Sequence, residues 1–177
     1  PQDDGAARHL TGITLPDIAL PATRGAPVNL STLKGRTVVY VYPRTGVPGV
    51  PNPDGWDQIP GARGCTPQSC SFRDPSGELK QFGVTQLFGL STQDTAYRRG
   101  AAERMHLPFP VLSDEKLQLT KAMRLPTFEA AGMTLLKRMA WVIDDGKMTK
   151  VFYPVFPPDQ NATEVLTWLR MSAFVGA

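Results

Sequence analysis

Residues 37–43, with the sequence TVVYVYP, constrain the fold more than any other stretch of the chain. Six consecutive β-branched and aromatic side chains predict a buried strand, and Pro43 ends it because proline has no N–H to donate to a β-ladder. Further strands are predicted over residues 85–92 and 109–114, and helices over 66–82, 95–107, 115–125 and 163–172. This alternation, followed by a hairpin that turns at Asp145-Gly146, predicts an α/β fold with a mixed sheet.

The sequence also predicts how the chain is divided. Residues 1–12 are expected to form a flexible N-terminal segment, and residues 13–177 a single domain that opens with a hairpin and a helical turn over 13–34. Residues 44–64 contain four prolines and five glycines and predict a long loop. Loops of this length in a compact domain are often functional.

The composition is that of an ordinary soluble domain. The chain has 177 residues, 41% of them hydrophobic, and a formal net charge of +3. No apolar run approaches the roughly 20 residues that span a bilayer, and the densest basic run, residues 97–104, fits the solvated face of a helix. We therefore expect neither a membrane nor a nucleic acid as partner. With no recognisable signal peptide, a cytoplasmic location is expected.

Two polar features are interpreted structurally. Asn161-Ala162-Thr163 matches a glycosylation sequon, but Asn161 followed by Glu164 also matches a helix-capping pattern, which we favour. The chain's two histidines, His9 and His106, are so far apart that neither a metal site nor a Cys–His nucleophile pair is expected.

The stretch GARGCTPQSCSFRD, residues 61–74, contains both cysteines of the chain at a predicted helix start. Their spacing differs from the CxxC of thioredoxin-like reductases and from the spacing of zinc ligands. In an unbroken helix, Cα atoms five residues apart are separated by roughly 8.6 Å, whereas a disulfide needs less than about 7 Å. Cys65 and Cys70 can therefore pair only if the helix start unwinds, which favours a pair that switches.

The position of Cys65 favours a reactive thiolate. The positive end of a helix dipole lowers a cysteine pKa from about 8.5 towards 6, and Arg63 adds positive charge nearby. Cys70 lies more than a turn inside the predicted helix, where the anion is less favoured. Chemistry thus assigns Cys65 as the nucleophile and Cys70 as the resolving thiol, with two ordinary buried cysteines as the alternative.

Three motifs together resemble one family. The strand VVYVYP, the block GCTPQSCSFRD and the strand LFGLST closely resemble the peroxiredoxins of the Q type, also called bacterioferritin-comigratory proteins. The resemblance extends from about Ile13 to Arg170. It implies a thioredoxin-like fold, a central mixed sheet flanked by helices with an N-terminal hairpin, and reduction of hydroperoxides without a metal or other cofactor.

The resemblance also implies the role of each site residue. Cys65 is the peroxidatic cysteine, which becomes a sulfenic acid, and Cys70 condenses with it to an intramolecular disulfide. Pro43 matches the proline that shields the thiolate, and Arg138 the arginine that lies near it. A thioredoxin- or glutaredoxin-type donor reduces the disulfide, and a monomer, or at most a weak dimer, is expected.

One departure from the family pattern PxxxTxxC concerns the loop before the nucleophile. Pro43 and Cys65 are 22 positions apart instead of seven, and Ala62 stands where the pattern has threonine. Thr45, at the entry to the insertion, is a candidate for the missing hydroxyl, and the alternative is a solvent-facing turn residue. Trp56, within the insertion, could wall the peroxide pocket, dock a reductant or pack the loop.

Two other functional classes use the same cysteines differently. In a redox-sensing or binding module, formation of the disulfide would unwind the helix and expose or hide a partner surface. In an inert protein of thioredoxin fold, the insertion would have spoiled the site. Catalytic turnover separates the peroxidase from both.

Overall fold

The computed structural model describes residues 2–44, 55–56, 65–94, 99–100, 102–103 and 106–175. Short 3-10 helices cover Arg8–Leu10 and Pro158–Gln160. The other elements, in chain order, are β1 (Ala19–Leu20), β2 (Val28–Asn29), β3 (Arg36–Val41), α1 (Cys65–Arg73), α2 (Ser76–Gln81), β4 (Val84–Ser91), β5 (Val111–Ser113), α3 (Gln118–Met123), β6 (Thr127–Ala130), β7 (Met133–Leu136), β8 (Met139–Asp144), β9 (Lys147–Phe152) and α4 (Asn161–Val175). In these described ranges, no helix is both long and apolar enough to cross a membrane.

A five-stranded sheet with the order β5-β4-β3-β8-β9 forms the centre of the fold. The strand β3 runs parallel to β4 and antiparallel to β8, so the sheet is mixed, as predicted. Two separate hairpins, β1-β2 and β6-β7, accompany it. The predicted central strand is therefore the middle strand of the sheet, with a neighbour on each side.

Alternate side chains of β3 enter two different cores because successive residues of a strand point to opposite faces. Val38 and Tyr40 pack on one face against apolar residues of α1, α2 and α4. Val39 and Val41 pack on the other face against α3 and the N-terminal segment. Each face of the sheet is thus covered, which accounts for the continuous apolar sequence of this strand.

Aromatic packing fixes α1 on the sheet. The rings of Tyr40 and Phe72 are stacked, with centroids 4.9 Å apart and planes at 9°, and Phe109 meets Tyr40 edge-on at 5.7 Å. Gly89 pairs with Tyr40 across β3 and β4. A Cβ on Gly89 would lie 2.7 Å from the Tyr40 hydroxyl, so the tyrosine ring occupies the space that glycine leaves.

The helix predicted over residues 66–82 is two helices. Its pattern is interrupted at Asp74 and Pro75, after which α2 begins at Ser76. Proline lacks an N–H for the helical ladder and its ring disfavours helical geometry in the preceding residue, which explains the break. Of the helix predicted over 95–107, the described residues 99–100 and 102–103 are helical and most others lie outside the described ranges.

The hairpin β6-β7 is absent from the sequence prediction. Its turn is Ala131-Gly132, with φ of 51° and 74°, the same left-handed pair that Asp145-Gly146 adopts at 49° and 80°. Both are two-residue turns of the type that twisted hairpins favour. The dipeptide Asp-Gly is typical of such turns, whereas Ala-Gly is not. The sequence at Ala131-Gly132 therefore did not predict the β6-β7 hairpin.

Residues of the N-terminal segment contact the domain at several described positions. Leu10 is fully buried in the core, and the Gly12 N–H donates to a carbonyl of β9 at 2.8 Å. The Tyr153 hydroxyl donates to Asp4 Oδ1 at 2.9 Å. The backbone N–H of Ala6, followed by this hydroxyl, lowers the pKa of Asp4 to about 2.

The two hairpin glycines provide a matched pair for measuring the close packing of the β8-β9 turn. A Cβ on Gly146 would lie 2.4 Å from the Ser31 carbonyl oxygen, whereas a Cβ on Gly132 would meet nothing within 4 Å. Gly132→Ala should lower the free energy of unfolding by about 1–2 kcal/mol through left-handed backbone strain. Gly146→Ala should cost about 1–3 kcal/mol more through the clash. Urea unfolding measures both, and equal losses would contradict the close contact.

Candidate active site

The candidate site lies where β3 ends and β8 begins. Val41, the last residue of β3, pairs with Met139, the first residue of antiparallel β8. This register brings Arg138, which directly precedes β8, to the carboxyl end of β3. Pro43 is buried two residues after that end, and the intervening Tyr42 donates its N–H to the Leu90 carbonyl at 3.1 Å.

Gln68 connects the elements that meet at this edge. It lies one helical turn after Cys65 on α1, and its side chain is fully buried. Arg138 Nη1 donates to Gln68 Oε1. Gln68 Nε2 donates to Asn161 Oδ1 at 2.9 Å and to the Val41 carbonyl at 3.3 Å. One amide therefore joins α1, β3, β8 and α4.

Arg138 places a permanent positive charge in the interior. The residue is 3% exposed, and a guanidinium does not lose its proton in proteins. Burial of a charge is costly unless hydrogen bonds replace its hydration. The bond to Gln68 supplies part of that replacement and fixes the plane of the guanidinium relative to α1.

Cys65 is the first residue of α1 and Cys70 lies in the same nine-residue helix. The N–H groups of a helix's first turn have no helical partner and attract negative charge. Cys70 is a half-buried free thiol. Both cysteines thus occupy one continuous helix, the arrangement in which a disulfide between them requires unwinding.

Arg73 gives Cys70 its own cationic neighbour. Arg73 Nε donates to Asp74 Oδ1 at 2.9 Å. This bond, and then attraction to the Cys70 sulfur, raises the pKa of the Arg73 guanidinium above its usual value. Phe72 stacks on Tyr40, and Arg73 and Asp74 bond to each other. Each of these three residues thus has a structural contact.

Asn161 braces the site and is not the helix cap that the sequence predicts. Its backbone is helical, with φ −62° and ψ −45°, whereas an N-cap residue is extended. Its Oδ1 accepts the bond from Gln68, and its fully buried side chain has no access for a glycan. The capping interpretation was wrong because a long-range partner competes for the same oxygen.

Trp56, in the insertion, packs against the β6-β7 hairpin. It is 6% exposed and forms a cluster with Leu135 and the flanking side chains of Phe128, Ala130 and Met133. The guanidinium carbon of Arg44 lies 5.8 Å from the Trp56 ring centroid. Of the three uses that the sequence leaves open for Trp56, packing of the loop is the one that these contacts describe.

The structure brings some of the sequence-predicted residues together. Pro43 and Arg138 lie at one edge of the sheet, and Arg138 is bonded there to Gln68 of α1, the helix that begins at Cys65; Thr45 lies outside the described residues. Sequence reasoning missed Gln68 and Asn161. The spacing of three between Cys65 and Gln68 places both on one helix face and could have indicated Gln68, but the contact with Asn161 spans 93 positions and carries no local signal.

Comparison with known proteins gives one family. The redoxin family model matches residues 10–166. The chain is 32% identical over 166 residues to a chloroplastic peroxiredoxin Q of Sedum lineare, covering 93% of this chain and 80% of that protein. It is 33% identical over 167 residues to peroxiredoxin Bcp of Escherichia coli strain K12, covering 92% and 96%.

Solved structures agree in fold. The crystal structure of peroxidoxin BcpB from Mycobacterium tuberculosis has a TM-score of 0.72 at 28% identity, over 91% of this chain and 96% of that one. A peroxiredoxin Q variant of Xylella fastidiosa has a TM-score of 0.73 at 20% identity, over 92% and 96%, which bears on the fold alone. The predicted thioredoxin-like fold is confirmed. By its sequence relatives and its match to the family model, the chain belongs to the redoxin family, as a peroxiredoxin of the Q/Bcp type.

Proposed function

We propose that this protein is a thiol-dependent peroxidase that reduces hydrogen peroxide and organic hydroperoxides through Cys65. The observation that carries the proposal is the buried Arg138, whose guanidinium is bonded to Gln68 on the helix that begins at Cys65. A fixed cation is thereby joined to a helix whose first residue is a cysteine. That set of groups suits attack by a thiolate on a peroxide.

In the first step, the Cys65 thiolate attacks one oxygen of the peroxide. An S–O bond forms, the O–O bond breaks, and the electron pair of that bond leaves on the second oxygen. The cysteine is oxidised to a sulfenic acid, and the leaving alkoxide or hydroxide takes a proton to become alcohol or water. Negative charge thus moves from sulfur to oxygen during the step.

Arg138 and the first N–H groups of α1 stabilise this movement of charge. Fixed donors aimed at the developing oxyanion lower the barrier because they bind the transition state more strongly than the substrate. A guanidinium does so without giving up its proton. Gln68 is a positioning residue. Its amide oxygen accepts a hydrogen bond from the Arg138 guanidinium, and its amide nitrogen donates one to Asn161.

In the second step, the Cys70 thiol attacks the Cys65 sulfenic acid. An S–S bond forms and water leaves, so the intermediate is withdrawn before a second peroxide can oxidise it irreversibly. The first turn of α1 unwinds to bring the two sulfurs together.

Pro43 and Thr45 complete the proposed pocket. Pro43 is buried beside the end of β3 and shields the thiolate from water. Thr45, two positions further along the chain, supplies the hydroxyl that the family pattern places three residues before the cysteine. Its place at the entry of the insertion is the support for this assignment.

A dithiol protein of the thioredoxin or glutaredoxin type closes the cycle by reducing the Cys65–Cys70 disulfide. Because both cysteines belong to one helix, no second chain is needed for any step, which supports a monomer as the working unit. A reductant of this kind operates in a reducing compartment such as the cytoplasm.

The sensor interpretation is less favoured than the peroxidase. A one-time switch needs a reactive cysteine but not donors arranged for a leaving oxyanion, and the relatives named above are peroxiredoxins. The inert interpretation also loses support, because Arg138 and Gln68 remain joined despite the insertion.

Mutation should distinguish the roles of Cys65 and Cys70. Cys65→Ser should abolish peroxide consumption because it removes the nucleophile. Cys70→Ser should consume about one peroxide per chain and then stop, because the sulfenic acid has no resolving partner. A coupled assay with thioredoxin, thioredoxin reductase and NADPH measures turnover. Normal turnover of Cys70→Ser would refute its role.

Gln68→Met tests the positioning role of the amide. The variant keeps the side-chain volume but leaves Arg138 Nη1 and Asn161 Oδ1 without Gln68. We expect the second-order rate with peroxide to fall about tenfold or more and the free energy of unfolding by about 1–3 kcal/mol. The control is Gln81→Met, at an exposed glutamine of α2. A folded Gln68→Met protein with the wild-type rate would contradict this role.

A further inference from the structure

The insertion separates Pro43 from Cys65 by 22 positions, yet it has a firm attachment near its middle. Trp56 is buried against the β6-β7 hairpin, with its ring centroid 6.0 Å from that of Phe128 on β6 and its indole against Leu135 on β7. A buried indole is a large apolar contact for a single residue. The loop is therefore fastened to one specific element of the domain.

We propose that Trp56 is a positioning residue for the peroxidase reaction, acting through the β6-β7 hairpin on Arg138; this inference rests on the function proposed above. Trp56 belongs to the insertion that lengthens the chain between Pro43 and Cys65. It packs on the β6-β7 hairpin, and Arg138 follows that hairpin in the chain.

The hairpin is continuous with Arg138. The strand β7 ends at Leu136, and the next residue, Lys137, donates its N–H to the Pro126 carbonyl at 3.0 Å, which extends the hairpin ladder by one bond. Arg138 follows directly and leads into β8. Leu135, which contacts Trp56, is thus only three positions before Arg138 in the chain.

A second contact holds the same hairpin on the sheet. Thr92, just after β4, donates its hydroxyl to the Thr134 carbonyl of β7 at 2.9 Å. The hairpin is therefore supported by a hydrogen bond from the sheet and by apolar packing from Trp56. Loss of the Trp56 side would remove part of this support and leave more freedom for the segment that carries Arg138.

Arg44 ties the entry of the insertion to the same anchor. It follows Pro43 directly, is half-buried, and lies over the Trp56 ring with its guanidinium carbon 5.8 Å from the centroid. An arginine over an indole face is an attractive cation–π arrangement. Arg44, at the start of the insertion, therefore contacts Trp56, which itself packs on the hairpin.

The chain contains a closely matched control. Trp168 on α4 also has an arginine over its ring, with the Arg36 guanidinium carbon 5.8 Å from the centroid. It also has an aromatic neighbour, Phe152, at 6.3 Å. Arg36 lies at the start of β3, at the end opposite to the proposed site, whereas Phe152 pairs with Ala140 of β8. Trp168→Ala removes a similar contact without touching the insertion or the hairpin.

The experiment uses the Cys70→Ser protein, in which Cys65 is the single thiol. Trp56→Ala, Trp56→Phe, Trp56→Leu and Trp168→Ala are each combined with it. The second-order rate with hydrogen peroxide is measured by competition with a reference peroxidase. Alkylation by iodoacetamide across pH, followed by intact mass, reports the pKa and access of the same thiolate without any O–O bond to break.

We expect Trp56→Ala to slow the peroxide reaction about tenfold while alkylation changes by less than about twofold. Trp56→Phe should recover most of the peroxide rate, because it keeps an aromatic ring on Phe128 and under Arg44. Trp168→Ala should lower stability but leave both rates unchanged. In an Arg138→Lys background, Trp56→Ala should have little further effect, because the two residues act through one group.

Several results would overturn the proposal. These are an unchanged peroxide rate in Trp56→Ala, a parallel fall of peroxide and alkylation rates, full additivity with Arg138→Lys, or an equal loss of rate in Trp168→Ala. Trp56→Leu, which keeps apolar volume, decides the case if the alanine variant unfolds. Failure of the proposed function gives a different result, since the parent protein would then react with peroxide no faster than free cysteine.

Discussion

The buried bond between Arg138 and Gln68 is the interaction on which the site depends. Taking a guanidinium out of water costs several kcal/mol, and the hydrogen bond to the neutral Gln68 amide offsets part of that cost. The same amide bonds to β3 and α4, so the position of the charge is fixed by three elements of the fold.

The register of the central sheet makes that bond possible. Antiparallel β8 begins beside the end of β3, which brings Arg138 next to the point where Pro43 turns the chain away. The path from Pro43 back to Cys65 is long, and closing 22 positions rather than seven costs about 1 kcal/mol more in chain entropy. Burial of one large side chain such as Trp56 stabilises by about 2 kcal/mol, enough to offset that cost.

Local patterns in the sequence predicted the central strand, the Asp145-Gly146 hairpin, the mixed sheet and the helix carrying both cysteines. They failed where a residue adopts a backbone conformation that is unusual for its type, or where a residue far along the chain determines which hydrogen bond forms. Ala131 adopts a left-handed turn that few alanines adopt, and Asn161 gives its oxygen to a residue 93 positions away instead of capping a helix.

The central claim is that peroxide converts Cys65 and Cys70 of the reduced protein into one intramolecular disulfide. Its direct test is stopped-flow fluorescence of the reduced protein with one equivalent of hydrogen peroxide, followed by intact mass and a thiol count. The account predicts a fast phase and a mass loss of about two daltons with both thiols gone. A reaction no faster than that of free cysteine, or two thiols remaining after it, would contradict the account.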